Sequence, residues 1–251
     1  MSRLAFITGG SRGLGRSGAL ALAAQGVDVI ITYMGNYEAA QDVLEQVRSA
    51  GRKAYALQLD ITDFERYPAF IEALIQTMQT EFGKTQLDYL LNNAGFGMNK
   101  PFAEITADEL DTMYQVHLKA PFVLTQALLP YISDNGHILN VSSGLTRFSF
   151  PGYSAYAAMK GGVEVLTHYL AKELGERGIS VNTLAPGAIA TDFNGGAVRD
   201  KPELNQLIAS VTAKGRPGEA EDIGNAIAML LSENSRWITG QRIEASGGMF
   251  L

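Results

Sequence analysis

Thr8-Gly9-Gly10-Ser11-Arg12-Gly13-Leu14-Gly15 follows the short apolar run Leu4–Thr8 and leads into the Ala/Leu-rich stretch Leu14–Gln25. Glycines between a strand and a helix let the backbone approach a pyrophosphate closely. The helix N-terminus adds free N–H groups and the positive end of a dipole. Gly9, Ser11, Arg12, Gly13, Leu14 and Gly15 are therefore the candidate cradle for a dinucleotide. Two other patterns overlap this stretch. Gly10 to Ser17 resembles a Walker A loop with Arg16 in place of the lysine, and Gly13-x-Gly15-x-x-Gly18 matches the common dinucleotide fingerprint.

Outward from this turn the chain alternates strand-like and helix-like segments. Strand runs are expected at 4–8, 27–33, 53–59, 87–91, 137–141, 179–184 and 241–244. Helices are expected at 14–25, 38–50, 64–82, 107–132, 155–177 and 219–232, several closed by a glycine such as Gly26, Gly51, Gly83 or Gly178. Alternating units of this size predict a doubly wound parallel α/β sheet with helices on both faces. No linker, low-complexity stretch or repeat interrupts it, so residues 1–251 are expected to form one domain. Ligands of such sheets sit beyond the carboxyl ends of the strands. The least regular segment, 187–218, is the expected substrate lid.

Composition narrows the function classes. The 251 residues are 46% hydrophobic and 18% charged, which fits a single soluble domain. There is no cysteine, which excludes disulfides, cysteine-based metal centres and a cysteine nucleophile. The net charge of −6 argues against a sequence-independent grip on nucleic acid phosphates. No long apolar run and no cleavable leader is visible, so a cytoplasmic protein without a membrane partner is expected. Asn140-Val141-Ser142 matches a glycosylation sequon that is accidental in that setting.

The second strand bears on the cofactor's phosphate. A site that prefers the unphosphorylated ribose usually carries an acid there to accept from the 2′-OH. This strand ends Ile31-Thr32-Tyr33-Met34-Gly35-Asn36, with no acid before Glu38, and Asp28 stands at its other end. Arg12 offers a guanidinium to a 2′-phosphate. The expected cofactor is NADP(H).

Tyr156-x-x-x-Lys160 places two groups on one helical face. A phenol is too weakly acidic to exchange protons near neutrality, and an adjacent ammonium is expected to lower its pKa. Ser143 is a hydroxyl suited to holding a substrate oxygen. One such Tyr/Lys pair is weak evidence, but the combination with the rest of the chain is specific. Asp60 follows the third strand and Asn92-Asn93-Ala94-Gly95 the fourth. Ser143 stands thirteen residues before Tyr156, and Pro186-Gly187 and Thr191 follow the sixth strand. In these markers the chain resembles the short-chain dehydrogenase/reductase family over nearly its full length, most of all NADP-dependent 3-oxoacyl-carrier-protein reductases.

The resemblance implies a seven-stranded Rossmann-type sheet and hydride transfer between a nicotinamide and a carbonyl or alcohol. It gives Ser143 the substrate carbonyl, Tyr156 the acid/base role, and Lys160 both the lowering of the tyrosine pKa and the nicotinamide ribose. Asp60 and Ile61 would meet the adenine; Asn93, Ala94 and Gly95 would line the cofactor; Pro186 and Gly187 would also bind it, and Ile189 and Thr191 would meet its carboxamide end. Asp60 can equally cap a turn, and Pro186-Gly187 can be plain turn chemistry. The sequence departs from the pattern where His117 replaces the usual Asn and where Ser246-Gly247-Gly248 replaces Asp-Gly-Gly. Pro121 removes the N–H that would bond the His117 carbonyl, so a kink and a free carbonyl are expected there. In the family, the matching position helps hold a water that leads from the lysine to solvent.

Phe96, Met98, Gly144, Leu145, Phe148, Phe150, Tyr153 and Phe193 are expected around an apolar substrate pocket, with Arg147 a solvated loop charge or an anion anchor. His137 and His168 read as structural or surface residues, and no metal cluster is visible. The resemblance also implies a homo-oligomer, with Leu124, Leu128, Leu129, Val165 and Leu166 as candidate packing residues. The favoured reading is an NADPH-dependent ketone or 3-oxoacyl reductase acting on a small-molecule carbonyl. The rival is a catalytically silent dinucleotide-binding regulator or scaffold, suggested by His117 alone.

Overall fold

A computed structural model describes residues 2–251. The strands are β1 (Leu4–Ile7), β2 (Asp28–Tyr33), β3 (Ala54–Gln58), β4 (Leu87–Asn92), β5 (Ile132–Val141), β6 (Ser180–Pro186) and β7 (Arg242–Ala245). All pair in parallel, in the order β3-β2-β1-β4-β5-β6-β7. The helices are α1 (Gly13–Ala24), α2 (Tyr37–Ser49), α3 (Tyr67–Phe82), α4 (Ala107–Tyr114), α5 (Ala120–Leu128), α6 (Ser154–Glu173), α7 (Ala197–Asp200), α8 (Pro202–Ser210) and α9 (Ala220–Leu230).

β1 is apolar throughout, and β2 and β4 are mostly so, because both faces of the sheet are covered. Ala5 and Ile7 of β1 pack into a core with α1, α2 and α9, while Leu4 and Phe6 pack the other way, against α3, α5 and α6. Alternate side chains of one strand thus feed two separate cores. The chain winds outward in both directions from the β1/β4 boundary, and the crevice at such a switch point is where a doubly wound sheet binds its ligand. Among the described residues no helix is long and apolar enough to cross a membrane.

The expected single helix over 107–132 is broken. α4 passes through a π turn at Gln115–Lys119 into α5, and a 3-10 turn at Leu129–Tyr131 follows. Proline explains both breaks: Pro121 and Pro130 have no N–H to continue the ladder. β5 starts at Ile132, five residues before the expected His137. A register shift between Leu87 and Tyr89 accommodates its irregular start, where Asn135 has φ 61°.

Candidate active site

The glycine turn folds as it does because its neighbours leave no room for side chains. A Cβ on Gly15 would lie 2.3 Å from the Gly9 carbonyl oxygen, and one on Gly9, at φ +64°, would lie 2.9 Å from Ala94 Cα. Gly13 has open space but takes φ +55°, which favours glycine. Gly18, the third glycine of the fingerprint, brings α1 close to Ile227 of α9. The turn is strapped from β4. Asn93 Nδ2 donates to the carbonyls of Thr8 and Gly9, each at 3.0 Å, and Thr8 Oγ1 accepts from the N–H groups of Asn93 and Ala94. Asn93 therefore shapes the cradle with its amide as well as lining it.

A cleft of about 820 Å³ runs from this turn across the carboxyl ends of the strands. Gly9, Ser11, Arg12, Leu14, Asp60, Ile61, Asn93, Ala94, Gly95, His117, Ser143, Tyr156, Lys160, Pro186, Gly187, Ile189 and Thr191 all line it. The one-domain topology thus brings together residues spread over almost two hundred positions. Gly13 and Gly15 shape the turn behind this lining. The donor set fits a dinucleotide: a side-chain-free cradle at the start of α1, with the exposed guanidinium of Arg12 beside it. Arg12 makes no ion pair among the described residues, whereas Arg16 bonds Gln46 and pairs with Asp42. The side chains at the end of β2 that face the cleft are Thr32, Tyr33 and Met34, with no acid among them. Asp28 sits at the other end, held by Ser2, Arg52 and the Lys53 N–H. Asp60 faces the cleft and also caps its own turn, accepting from the Thr62 N–H and hydroxyl at 2.9 and 2.7 Å.

At the far end of the cleft, Ser143 follows β5, and Tyr156 and Lys160 share one face of α6. Tyr156 is buried against Met113, Met98, Leu145 and Met159. Burial pushes its phenol well above the usual range, and the Ser143 hydroxyl pulls the other way. The expected lowering by Lys160 is not the controlling effect. Lys160 Nζ donates to the Val141 carbonyl at 2.7 Å and stands 5.6 Å from the Tyr156 ring centroid, while desolvation of the phenolate acts on the whole group. Burial also lowers Lys160, to about 8.

His117 lies in the π turn, 2% exposed. Its Nε2 lies 2.7 Å from the Phe96 carbonyl oxygen; since a carbonyl only accepts, Nε2 carries the proton and Nδ1 is left without a partner. The ring lies edge-on to Tyr156, centroids 5.0 Å apart, and its Cε1 is 2.6 Å from where a Gly95 Cβ would be. Burial, with the Lys160 charge and against the Phe96 carbonyl, lowers its pKa to about 3, so it is neutral at physiological pH.

Several expected pocket residues are elsewhere. Phe148 and Phe150 cluster with Phe250 rather than lining the cleft. Arg147 is neither free nor an anion anchor: it makes two 2.7 Å hydrogen bonds to Glu244 and donates to the carbonyls of Met249 and Phe250. Tyr153 stands just before α6, outside the lining of the cleft, its hydroxyl accepting from Asn194 Nδ2 at 3.1 Å. His168 is exposed, and His137 is buried beside Tyr89. Leu124 and Leu128 are in the chain's own core, whereas Val165 is exposed.

Sequence reading missed a buried polar ladder behind the site. Asn92 Nδ2 donates to Thr125 Oγ1 and Asn140 Oδ1, Asn140 Nδ2 to Thr167 Oγ1, and Thr183 Oγ1 to Thr167 Oγ1. Asn92 Oδ1 has no partner. A second, small cavity of about 20 Å³ is lined by Asn92, Asn140, His117, Pro121 and Lys160. That is room for one water. Asparagines inside an apolar strand were the available signal.

Comparison with known proteins agrees with this geometry. A family model described as enoyl-(acyl carrier protein) reductase matches residues 9–250. The chain is 36% identical over 253 residues to the 3-oxoacyl-[acyl-carrier-protein] reductase FabG of Staphylococcus aureus, covering 100% of this chain and 99% of that protein. Among solved structures it is similar to the promiscuous reductase LugOII, which catalyses keto-reduction at C1 during lugdunomycin biosynthesis. The TM-score is 0.94 at 38% identity, covering 99% of this chain and 98% of that one. The angucycline C-6 ketoreductase LanV with bound NADP gives a TM-score of 0.93 at 35% identity, covering 99% and 95%.

Proposed function

The chain belongs to the short-chain dehydrogenase/reductase family, and from that we propose an NADPH-dependent reductase of a ketone or 3-oxoacyl group, with Ser143, Tyr156 and Lys160 as its catalytic residues. One observation carries the reading: Ser143, Tyr156 and Lys160 meet at one end of the cleft whose other end is the glycine turn.

NADPH, when bound, supplies the hydride. Gly9, Ser11 and Arg12 would hold its phosphates, Asp60 and Ile61 the adenine end, and Ile189 and Thr191 the other. Ser143 orients the substrate carbonyl. Tyr156 delivers a proton to the carbonyl oxygen as charge develops there. Its raised pKa suits reduction, because the residue must arrive as phenol and not phenolate. Lys160, with a pKa of about 8, is an ammonium at neutral pH and replenishes that proton. His117 lies edge-on to Tyr156 without taking the place of Ser143 or Lys160, which removes the one argument for a silent protein.

Residues 187–218 act as the substrate lid of a single domain. The protein works as a cytoplasmic homo-oligomer, a setting that supplies the reduced nicotinamide it needs. The apolar side chains left exposed on α5 and α6, Phe122, Val165 and Tyr169, support a subunit contact there. The test is NADPH consumption by the purified protein with a panel of ketones and an acetoacetyl thioester. Consumption with at least one, and loss of it in Tyr156→Phe, is expected. NADPH binding without reduction of any carbonyl would refute the reading.

A further inference from the structure

Two phenylalanines stand open beside the buried Tyr156. Phe96 is 44% and Phe193 is 42% exposed, and both line the cleft. They come from different elements: Phe96 follows Gly95 after β4, and Phe193 lies within the lid segment after β6. They converge at Gly97, where an added Cβ would lie 2.7 Å from the Phe193 ring and 2.1 Å from Asn194 Oδ1. Left-handed backbone at Asn194, Gly195 and Gly196 makes that approach possible, and Asn194 is tied to the Tyr153 hydroxyl. The lid is therefore docked with its aromatic ring turned to the cleft.

The rings form a continuous series. Centroids are 5.9 Å apart for Phe96 and His117, 5.0 Å for His117 and Tyr156, and 5.9 Å for Tyr156 and Phe193. His117 is fixed within it, since its one N–H is given to the Phe96 carbonyl. At the place where an asparagine is usual, this chain thus has a ring. It links the Phe96 wall to the tyrosine.

Charge at this end points the same way. The basic side chains lining the cleft are Arg12, at the glycine turn, and Lys160. The lid's Arg199 is paired with Asp192 and Asp200, and Arg147 with Glu244. Among the described residues no uncommitted cation faces the substrate end to receive a phosphate or carboxylate.

Resting on the reductase reading, we infer that the substrate is an uncharged ketone fused to a flat aromatic ring, which stacks on Phe96 and Phe193 while its carbonyl reaches Ser143 and Tyr156. A flat π face gains from edge or offset contact with such rings, and a puckered saturated ring of equal size does not. Hydride adds to the carbonyl carbon, the proton from Tyr156 goes to its oxygen, and an alcohol with NADP⁺ results.

The test compares 2-tetralone with its saturated counterpart 2-decalone, at saturating NADPH. We expect kcat/KM to favour the tetralone by about tenfold, as two ring contacts would give. Phe96→Leu and Phe193→Leu should each shrink that ratio several-fold, mainly through KM, and Phe96→Tyr and Phe193→Tyr should restore it. NADPH binding by fluorescence shows whether each variant is folded, and the wild-type ratio stands without them. A wild-type ratio near one, or a ratio unmoved in folded Leu variants, overturns the inference. So does acetoacetyl-acyl-carrier protein turning over while 2-tetralone does not, an outcome that leaves the reductase reading standing. Reduction of none of these carbonyls would take down both.

Discussion

The chain buries two histidines edge-on to tyrosines, and only one pair lies at the site. His117 meets Tyr156 at 5.0 Å and 83°, and His137 meets Tyr89 at 5.6 Å and 71°. Each histidine is 2% exposed, each has an unpartnered Nδ1, and burial lowers the pKa of both. By residue type and environment the pairs are near equivalents. They differ in place. Tyr89 and His137 are in register within β4 and β5, and Tyr89 belongs to the core under α9, while Tyr156 stands at the carboxyl end of the sheet beside Ser143 and Lys160 with a cleft in front of it. A perturbed ring pair is therefore no evidence of chemistry by itself; convergence of different groups on an open cleft is.

The largest expected effect sets the two tyrosines against each other. Tyr156→Phe removes one transferable proton and keeps the ring, so turnover should fall by about 10²–10⁴, the usual worth of a positioned acid. NADPH affinity should stay close to wild type. Tyr89→Phe should leave turnover nearly unchanged. Steady-state rates and a cofactor titration check all three. A Tyr156→Phe protein that keeps a tenth of the wild-type rate would end the distinction between the pairs.

Next in size is Lys160. Its ammonium is lost as pH rises through about 8. If it replenishes the tyrosine proton, kcat/KM for reduction should decline above that pH. Lys160→Arg should be slow at every pH and lose the decline near 8, because a guanidinium stays charged and gives up no proton. Lys160→Ala should cost about 10² in rate. Neither histidine should add a limb between pH 7 and 8, His117 because it titrates near 3. A pH–rate profile flat to pH 10 would break this assignment.

These contrasts also show what was legible in the sequence. The glycine turn and the Tyr156/Lys160 spacing could be read because their chemistry is local: one needs a strand–helix turn, the other a helical face. The parallel sheet was legible because short, mainly apolar strand runs alternate with helices. What stayed hidden depends on residues far apart. The Asn93 strap, the Asn92–Asn140–Thr167 ladder and the Arg147–Glu244 pair each join elements distant in sequence. The expected sign of the Tyr156 shift was wrong for the same reason. The ammonium four residues away is visible in sequence, but the apolar wall of Met98, Met113 and Met159 that raises the phenol is not. The kink at Pro121 was legible because proline lacks the N–H, but the end of the long helix was misread because Pro130 was counted inside an apolar periodicity that it interrupts.

Arg12 should matter less than the proton donors. It is exposed and lines the phosphate end of the cleft, opposite a β2 terminus without an acid. Arg12→Ala should weaken NADPH by about 1.5–3 kcal/mol, the worth of a charge-assisted contact, and leave NADH nearly unaffected. Calorimetric titration of both cofactors decides it. Equal wild-type affinity for NADPH and NADH would show that no 2′-phosphate contact exists.

The smallest effect returns to the histidines. Ala120 donates to the carbonyl of Gln115, five residues back, and residue 121 is a proline with no N–H to give the His117 carbonyl. That carbonyl belongs to the residue that lines the small cavity together with Lys160 and with Asn92, whose Oδ1 is unpartnered. A water there would accept from Lys160 and donate to the two carbonyl-type oxygens, so the backbone at 117 can serve the proton path whatever its side chain. His117→Asn should therefore remain active within a few-fold, and a crystal structure should show an ordered water in that cavity. Stability supplies an independent readout. Below pH 6.5 the unfolded imidazole takes a proton that folded His117 refuses down to about 3, so the folded state loses stability as pH falls through that window. His117→Asn should flatten the acid loss, and His137→Asn should flatten it too without touching catalysis. A His117→Asn enzyme as slow as Tyr156→Phe would mean that the imidazole itself, and not the carbonyl behind it, carries the proton.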